Sequence, residues 1–239
     1  MGKALVRAMI PDARRAWELF VTRHVELFVR ALTRLVAHDC GMHPPRQCED
    51  DISKLLSALL REICYEMKKE CEIDIRVPTW EGPIPPRSTT NVQDEEVGKR
   101  PDFTCIFPNP RPGSHENIEI PFHVECKIIG KDKGSQKTYK ENYVRKGIIR
   151  FDSKSHGYGH KSHCGIMIGY LVGESAESVQ CVINQIITEE VPGHDPLCVS
   201  FNSHKVGESE NKFYRLHIDP QSFKLFHLWV DLKDFVFQG

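Results

Sequence analysis

The run "PFHVECKIIG", residues 121–130, decides how this chain folds and where its chemistry sits. Strand alternation sends Phe122, Val124, Cys126 and Ile128 to one face, which reads as core, and His123, Glu125 and Lys127 to the other. A carboxylate and an amine at i and i+2 stand about 6.5–7 Å apart at Cα, close enough to serve one reaction centre. Half-burying both is costly unless each has a partner. Upstream, "GKRPDFTCIF" (98–107) reads as a second strand, and the ring of Pro101 fixes the backbone just before Asp102. If the two strands pair as a hairpin across the turn-rich "PNPRPGSHEN" (108–117), Asp102 can reach Glu125 across the ladder.

Working outward, residues 12–37 predict a long amphipathic helix, with Trp17, Phe20, Val21, His24, Leu27, Phe28, Ala31 and Leu35 recurring at three- and four-residue steps. Gly41 and the pair Pro44-Pro45 break it. "EDDISKLLSALLREICYEMKK" (49–69) predicts a second helix, acidic where the dipole favours it and apolar along Ile52, Leu55, Leu56, Leu59, Ile63 and Met67. "EIDIRVPTW" (72–80) alternates like a strand, with Ile73, Ile75 and Val77 on one side, and residues 81–99 form a long polar loop. "KTYKENYVRKGIIRF" (137–151) reads as helix at least to Lys146, "CGIMIGYLVG" (164–173) as a strand buried on both faces, and "SAESVQCVINQIITEE" (175–190) as a serine-capped helix. "LCVSFNSHK", "KFYRLHID" and "FKLFHLWVDL" complete the chain as strands. The order favours an α/β domain built on a mixed sheet covered by helices, with residues 1–45 as an N-terminal helical extension and 46–239 as the main domain.

At 239 residues, 40% hydrophobic and 27% charged, the chain can bury a full core. Its formal charge of −1 makes no global case for a polyanionic partner, so any such case is local. Nine scattered cysteines without CxxC pairs, no signal-peptide pattern at the start and no long uncharged apolar run lead us to expect reduced thiols and a cytoplasmic location.

Two carboxylates aimed at one point repel unless a cation lies between them. A hard divalent ion takes oxygen ligands and leaves positions for water and substrate phosphate, and an adjacent lysine can orient water or offset charge on the phosphate. Pro101-Asp102 followed by Glu125-Cys126-Lys127 resembles the P-D…(D/E)-x-K signature of the restriction-endonuclease-like, or PD-(D/E)XK, nuclease superfamily, over roughly residues 49–205. The resemblance implies a restriction-endonuclease-like mixed β-sheet flanked by α-helices and a metal-dependent endonuclease that hydrolyses DNA phosphodiesters, in restriction or anti-phage defence. It implies Mg²⁺ or Mn²⁺ held by Asp102 and Glu125, with Lys127 as the catalytic lysine. Many members add a glutamate from the preceding helix. Glu49 is the candidate here, with a helix-dipole partner as its other reading, and Glu62 and Glu66 are weaker alternatives.

From Lys127 to Lys161 ten lysines and arginines face three acids, an asymmetry that offers a phosphate-binding surface. Lys131, Lys133, Lys137, Lys140, Arg145, Lys146 and Arg150 are its expected contacts, with Tyr139, Tyr143, Phe151 and Tyr158 available for base stacking. Two histidine–cysteine groups, His38, Cys40, His43 and Cys48, and His156, His160, His163 and Cys164, invite a zinc reading, although the spacing of the first matches no standard structural pattern. DNA is the expected partner ahead of RNA, and a homodimer or partner protein could use the N-terminal helix. The competing readings are an RNA-directed nuclease, and a catalytically silent scaffold or nucleic-acid-recognition subunit of a larger complex.

Overall fold

The computed structural model describes residues 13–37, 49–71, 75–85, 97–110, 112–113, 118–130, 139–191 and 193–232. Two long helices lead, α1 (Ala13–Ala37) and α2 (Glu49–Cys71). They are followed by β1 (Thr79–Trp80), β2 (Phe103–Pro108), β3 (Glu119–Gly130), α3 (Tyr139–Arg145), a 3₁₀ turn (Ile148–Asp152) and β4 (Cys164–Val172). Then come α4 (Ala176–Glu190), β5 (Ser200–Phe201), β6 (Val206–Tyr214) and β7 (Ser222–Asp231). The strands form one mixed seven-stranded sheet in the order β1-β2-β3-β4-β7-β6-β5. The inner pairs β3–β4 and β4–β7 are parallel and the outer pairs antiparallel.

Helices cover both faces of this sheet. On one, Leu27, Phe28, Ala31, Leu32 and Leu35 of α1 and Ile52, Leu56, Leu60 and Ile63 of α2 pack on Phe122, Val124, Cys126 and Ile166. On the other, Tyr143 and Val144 of α3, Ile148 and Phe151 of the 3₁₀ turn, and Val179, Ile183 and Ile187 of α4 pack on Ile129, Met167, Leu171 and Trp229. Parallel strands with helices on both sides are buried twice over, which is why Cys164–Leu171 is buried throughout. Two helices carry their expected end signals: Glu49, Asp50 and Asp51 sit in the first turn of α2 with Lys68 and Lys69 in its last, and the Ser175 hydroxyl accepts from the Ser178 N–H to cap α4.

Several expectations shift. The helix read as an extension supplies a full layer of one core, so α1 is structurally part of the domain. Of the strand expected over 72–80, residues 72–74 lie outside the described residues and only Thr79–Trp80 pairs with β2. "LCVSFNSHK" contributes just Ser200–Phe201. The strand expected at 212–219 instead begins at Val206 and ends at Tyr214, because pairing with β7 holds the polar run "GESEN" in the ladder. The helix after Tyr139 stops at Arg145, and the chain tightens into the 3₁₀ turn after Gly147. A Cβ on Gly147 would stand 2.3 Å from the Tyr143 carbonyl oxygen and 2.4 Å from Met167 Cε, so only glycine permits this approach.

Candidate active site

The site forms where two antiparallel strands part. Strand β2 pairs with β3 from Pro108↔Glu119 to Phe103↔Val124, and there it ends, leaving the β2-side edge of β3 open beyond Val124. Backbone donors on an open edge need partners. The Cys126 N–H donates to Asp102 Oδ2 at 2.6 Å and the Ile128 N–H to Glu49 Oε2 at 3.2 Å. One strand edge therefore positions two carboxylates, one from the start of β2 and one from the first turn of α2.

Lys127 lies between them. Its Nζ is 2.8 Å from Glu49 Oε1, 2.8 Å from Glu125 Oε1 and 3.9 Å from Asp102 Oδ2. Glu125 is almost completely enclosed, with 1% of its side chain exposed. Its Oε1 also accepts from Arg150 Nη1 in a short contact, whereas its Oε2 is buried with no hydrogen-bond partner. Such an orphaned acceptor carries the full cost of its lost hydration.

The electrostatics follow from this enclosure. Burial pushes the Asp102 carboxyl up to about 6, against the pull of Lys127 and the Cys126 N–H. Burial, helped by the charge of Asp102, pushes Glu125 up to about 8, although Lys127 and Arg150 oppose it. Burial also works against a charged Lys127, but the carboxylates of Glu125, Glu49 and Asp102 outweigh it and hold the ammonium above its ordinary range. Three carboxylates thus face two cations, and the acids are short of positive charge.

The all-oxygen donor set, the orphaned Glu125 Oε2 and this deficit fit a hard divalent cation. Among the described residues no three His, Cys, Asp or Glu side chains form a ready cage. The acids are spaced around the Lys127 ammonium instead.

The other sequence candidates disperse. Glu62 and Glu66 pair with Arg34 of α1, away from this site. Lys131, Lys133 and Lys137 lie outside the described residues, as do His38, Cys40, His43 and Cys48. Lys140 is buried, donating to the Gly130 carbonyl at 3.0 Å and to Glu174 at 2.6 Å, so it ties β3 to the start of α4. Arg145 pairs with Glu190 and Glu141, while Lys146 is exposed. Arg150 turns inward to Glu125. Tyr143, Phe151 and Tyr158 are core residues, and Tyr139 is partly buried against the core. Of the second histidine group, His156 bonds with Ser153 and Ser155, and Cys164 is buried.

Two features escaped the sequence reading. Arg150 counted there only as a basic residue among ten, and nothing local tied it to Glu125, 25 positions away. The other is Lys99: after burial and the charge of Arg150, its charge helps to lower His156, which the sequence offered only within a histidine–cysteine group. The basic pair Lys99-Arg100 just before Pro101-Asp102 was the available signal for Lys99. No described helix is long and apolar enough to cross a membrane. Comparison with family models, curated proteins and solved structures yields no match to this chain.

Proposed function

We propose that the chain is a metal-dependent nuclease with a restriction-endonuclease-like fold, hydrolysing phosphodiester bonds in DNA. The observation that carries this reading is the convergence of Asp102, Glu125 and Glu49 on one lysine at the parting of β2 and β3, with an acceptor of Glu125 left unpartnered. The hairpin bearing Asp102 and Glu125-x-Lys127, the preceding helix that brings Glu49, and the parallel step to a doubly buried strand support the fold assignment.

Asp102, Glu125 and Glu49 would hold Mg²⁺ or Mn²⁺, which supplies Lewis-acid activation of water and neutralises phosphate charge. Lys127, ringed by carboxylates, is held as an ammonium and acts as a donor that orients the attacking water or binds a phosphate oxygen. The edge N–H groups of Cys126 and Ile128 fix Asp102 and Glu49 before substrate arrives, so little reorganisation remains for the reaction itself.

One observation favours a second reading, a silent nuclease-fold scaffold: Lys127 and Arg150 already occupy Glu125 Oε1. Cleavage and metal binding together separate the two. Plasmid, linear duplex, single-stranded DNA and RNA are incubated with Mg²⁺, Mn²⁺ or EDTA, with wild type beside Lys127→Ala. We expect metal-dependent cutting that falls at least about a hundredfold in the variant. Calorimetric titration of Mn²⁺ is expected to show a site that Asp102→Asn loses, since asparagine can still accept from the Cys126 N–H but carries no charge. Equal cutting by wild type and Lys127→Ala, or equal metal binding by wild type and Asp102→Asn, overturns the proposal. Metal binding without cutting of any nucleic acid favours the scaffold.

A further inference from the structure

Among the described residues, Arg150 is the cation paired with the site's carboxylates that comes from outside the β2–β3 hairpin and α2. It sits on the 3₁₀ turn Ile148–Asp152, whose Ile148 and Phe151 are fully buried anchors. The backbone beneath Arg150 is therefore fixed, while its own side chain is 27% exposed at the mouth of the site. Among the described residues Glu125 is the only carboxylate it pairs with, through Nη1 alone, so the remaining guanidinium donors are unused by that pair.

The charge balance shows what this arrangement can do. With Asp102, Glu49 and Glu125 all ionised, as metal binding requires, Arg150 and Lys127 leave the cluster with one negative charge in excess. A divalent cation would turn that excess into one positive charge. A single phosphodiester would then neutralise it. The incoming metal and the guanidinium both need the same carboxylate, and Glu125 Oε2 is the acceptor that neither Lys127 nor Arg150 uses.

On the nuclease reading above, we propose that Arg150 is an exchangeable counter-ion: it neutralises Glu125 in the metal-free protein and, once metal takes that carboxylate, passes to an oxygen of the scissile phosphate. A planar fork of donors on a fixed turn suits that second partner, since guanidinium and phosphate pair in bidentate geometry. Metal binding and phosphate binding are then coupled through one side chain. The metal frees the donor that the phosphate uses, and a phosphate that draws Arg150 away leaves Glu125 open to the metal.

The coupling predicts effects of opposite sign from one substitution. Arg150→Met keeps an unbranched apolar stem of similar bulk and removes the guanidinium and its charge. Calorimetric titration of Mn²⁺ without nucleic acid is expected to show binding about tenfold tighter than wild type, because a competing cation is gone. Affinity for a phosphorothioate duplex in Ca²⁺ and cleavage in Mg²⁺ are expected to fall, cleavage by about a hundredfold or more. Arg150→Lys, which keeps the charge but not the fork, is expected to hold Mn²⁺ affinity near wild type and to recover only part of the cleavage. Thermal unfolding of both variants checks that they fold. Mn²⁺ affinity in Arg150→Met equal to or weaker than wild type overturns the inference, since a purely structural arginine would give that result. If wild type itself binds no Mn²⁺, the nuclease reading falls first and this inference with it.

Discussion

Glu125 is 1% exposed, accepts from two cations through one oxygen and from nothing through the other, and has its carboxyl raised to about 8. On the proposed nuclease reading, that is a side chain placed for chemistry at the expense of stability. The sign of the effect is open to test. A carboxyl raised in the folded state favours folding at low pH and loses that contribution as pH rises from the ordinary carboxylate range to about 8. In Glu125→Gln, two carboxylates face two cations and the excess charge disappears. Thermal or urea unfolding in EDTA is expected to show Glu125→Gln more stable than wild type at pH 8, on the order of a few kcal/mol, with the gain shrinking towards pH 5. A variant less stable than wild type at pH 8 would mean that the pairs with Lys127 and Arg150 outweigh the burial. That Asp102, Glu125 and Lys127 meet was legible in sequence because strand alternation and Pro101 constrain them locally, and Glu49 was a candidate because helical spacing puts it three residues before Ile52. The Arg150 contact was not, since it depends on where a turn after a parallel strand returns to the sheet.

At the scale of elements, what was legible is what carries its own period. The stripes of α1, α2 and α4 and the doubly apolar β4 declare themselves in any window of the sequence. Strand β6 does not, because Glu208 and Glu210 lie off the core and Asn211 is a buried polar residue, held by its side-chain amide donating to the carbonyls of Asp195 and Pro196. The two-residue strands β1 and β5 exist only through their neighbours, so no local signal could mark them. Nor could the sequence show that α1 belongs to the core, since an amphipathic stripe does not say which surface covers it. Phe28 settles that point: it is fully buried and packs edge-on against Phe103 of β2 at 5.7 Å. Phe28→Ala is expected to cost about 3–4 kcal/mol in urea unfolding while leaving one cooperative transition. A separate, early transition for α1 in wild type would show instead that the helix is docked on a domain that stands without it.

Buried imidazoles lie on both faces of the sheet, and this ties the stability of the whole molecule to acid. His24 of α1 is buried against Phe20, and burial lowers it to about 4 despite backbone bonds to Phe20 and Arg76. On the other face, burial lowers His194 and carries His227 well down, where its Nδ1 pairs with the Tyr143 hydroxyl at 2.8 Å. In an unfolded chain these rings take up protons below about 6.5. The folded chain refuses them until lower pH, so each histidine adds a term that lowers stability as pH falls below about 6.5, for His24 down to about 4, by about 1.4 kcal/mol per pH unit at most. Raised Asp102 and Glu125 act the opposite way over an overlapping window, so wild type in EDTA should show a flattened profile. Removing the larger opposing group exposes the histidine slope. In the Glu125→Gln background, urea midpoints taken at pH 7, 6 and 5 are expected to fall steadily, and adding His24→Gln should make that fall shallower by roughly one histidine's share. An unchanged slope in the double variant would mean that His24 accepts its proton in the folded state, and the acid sensitivity would then belong to the layer of His194 and His227.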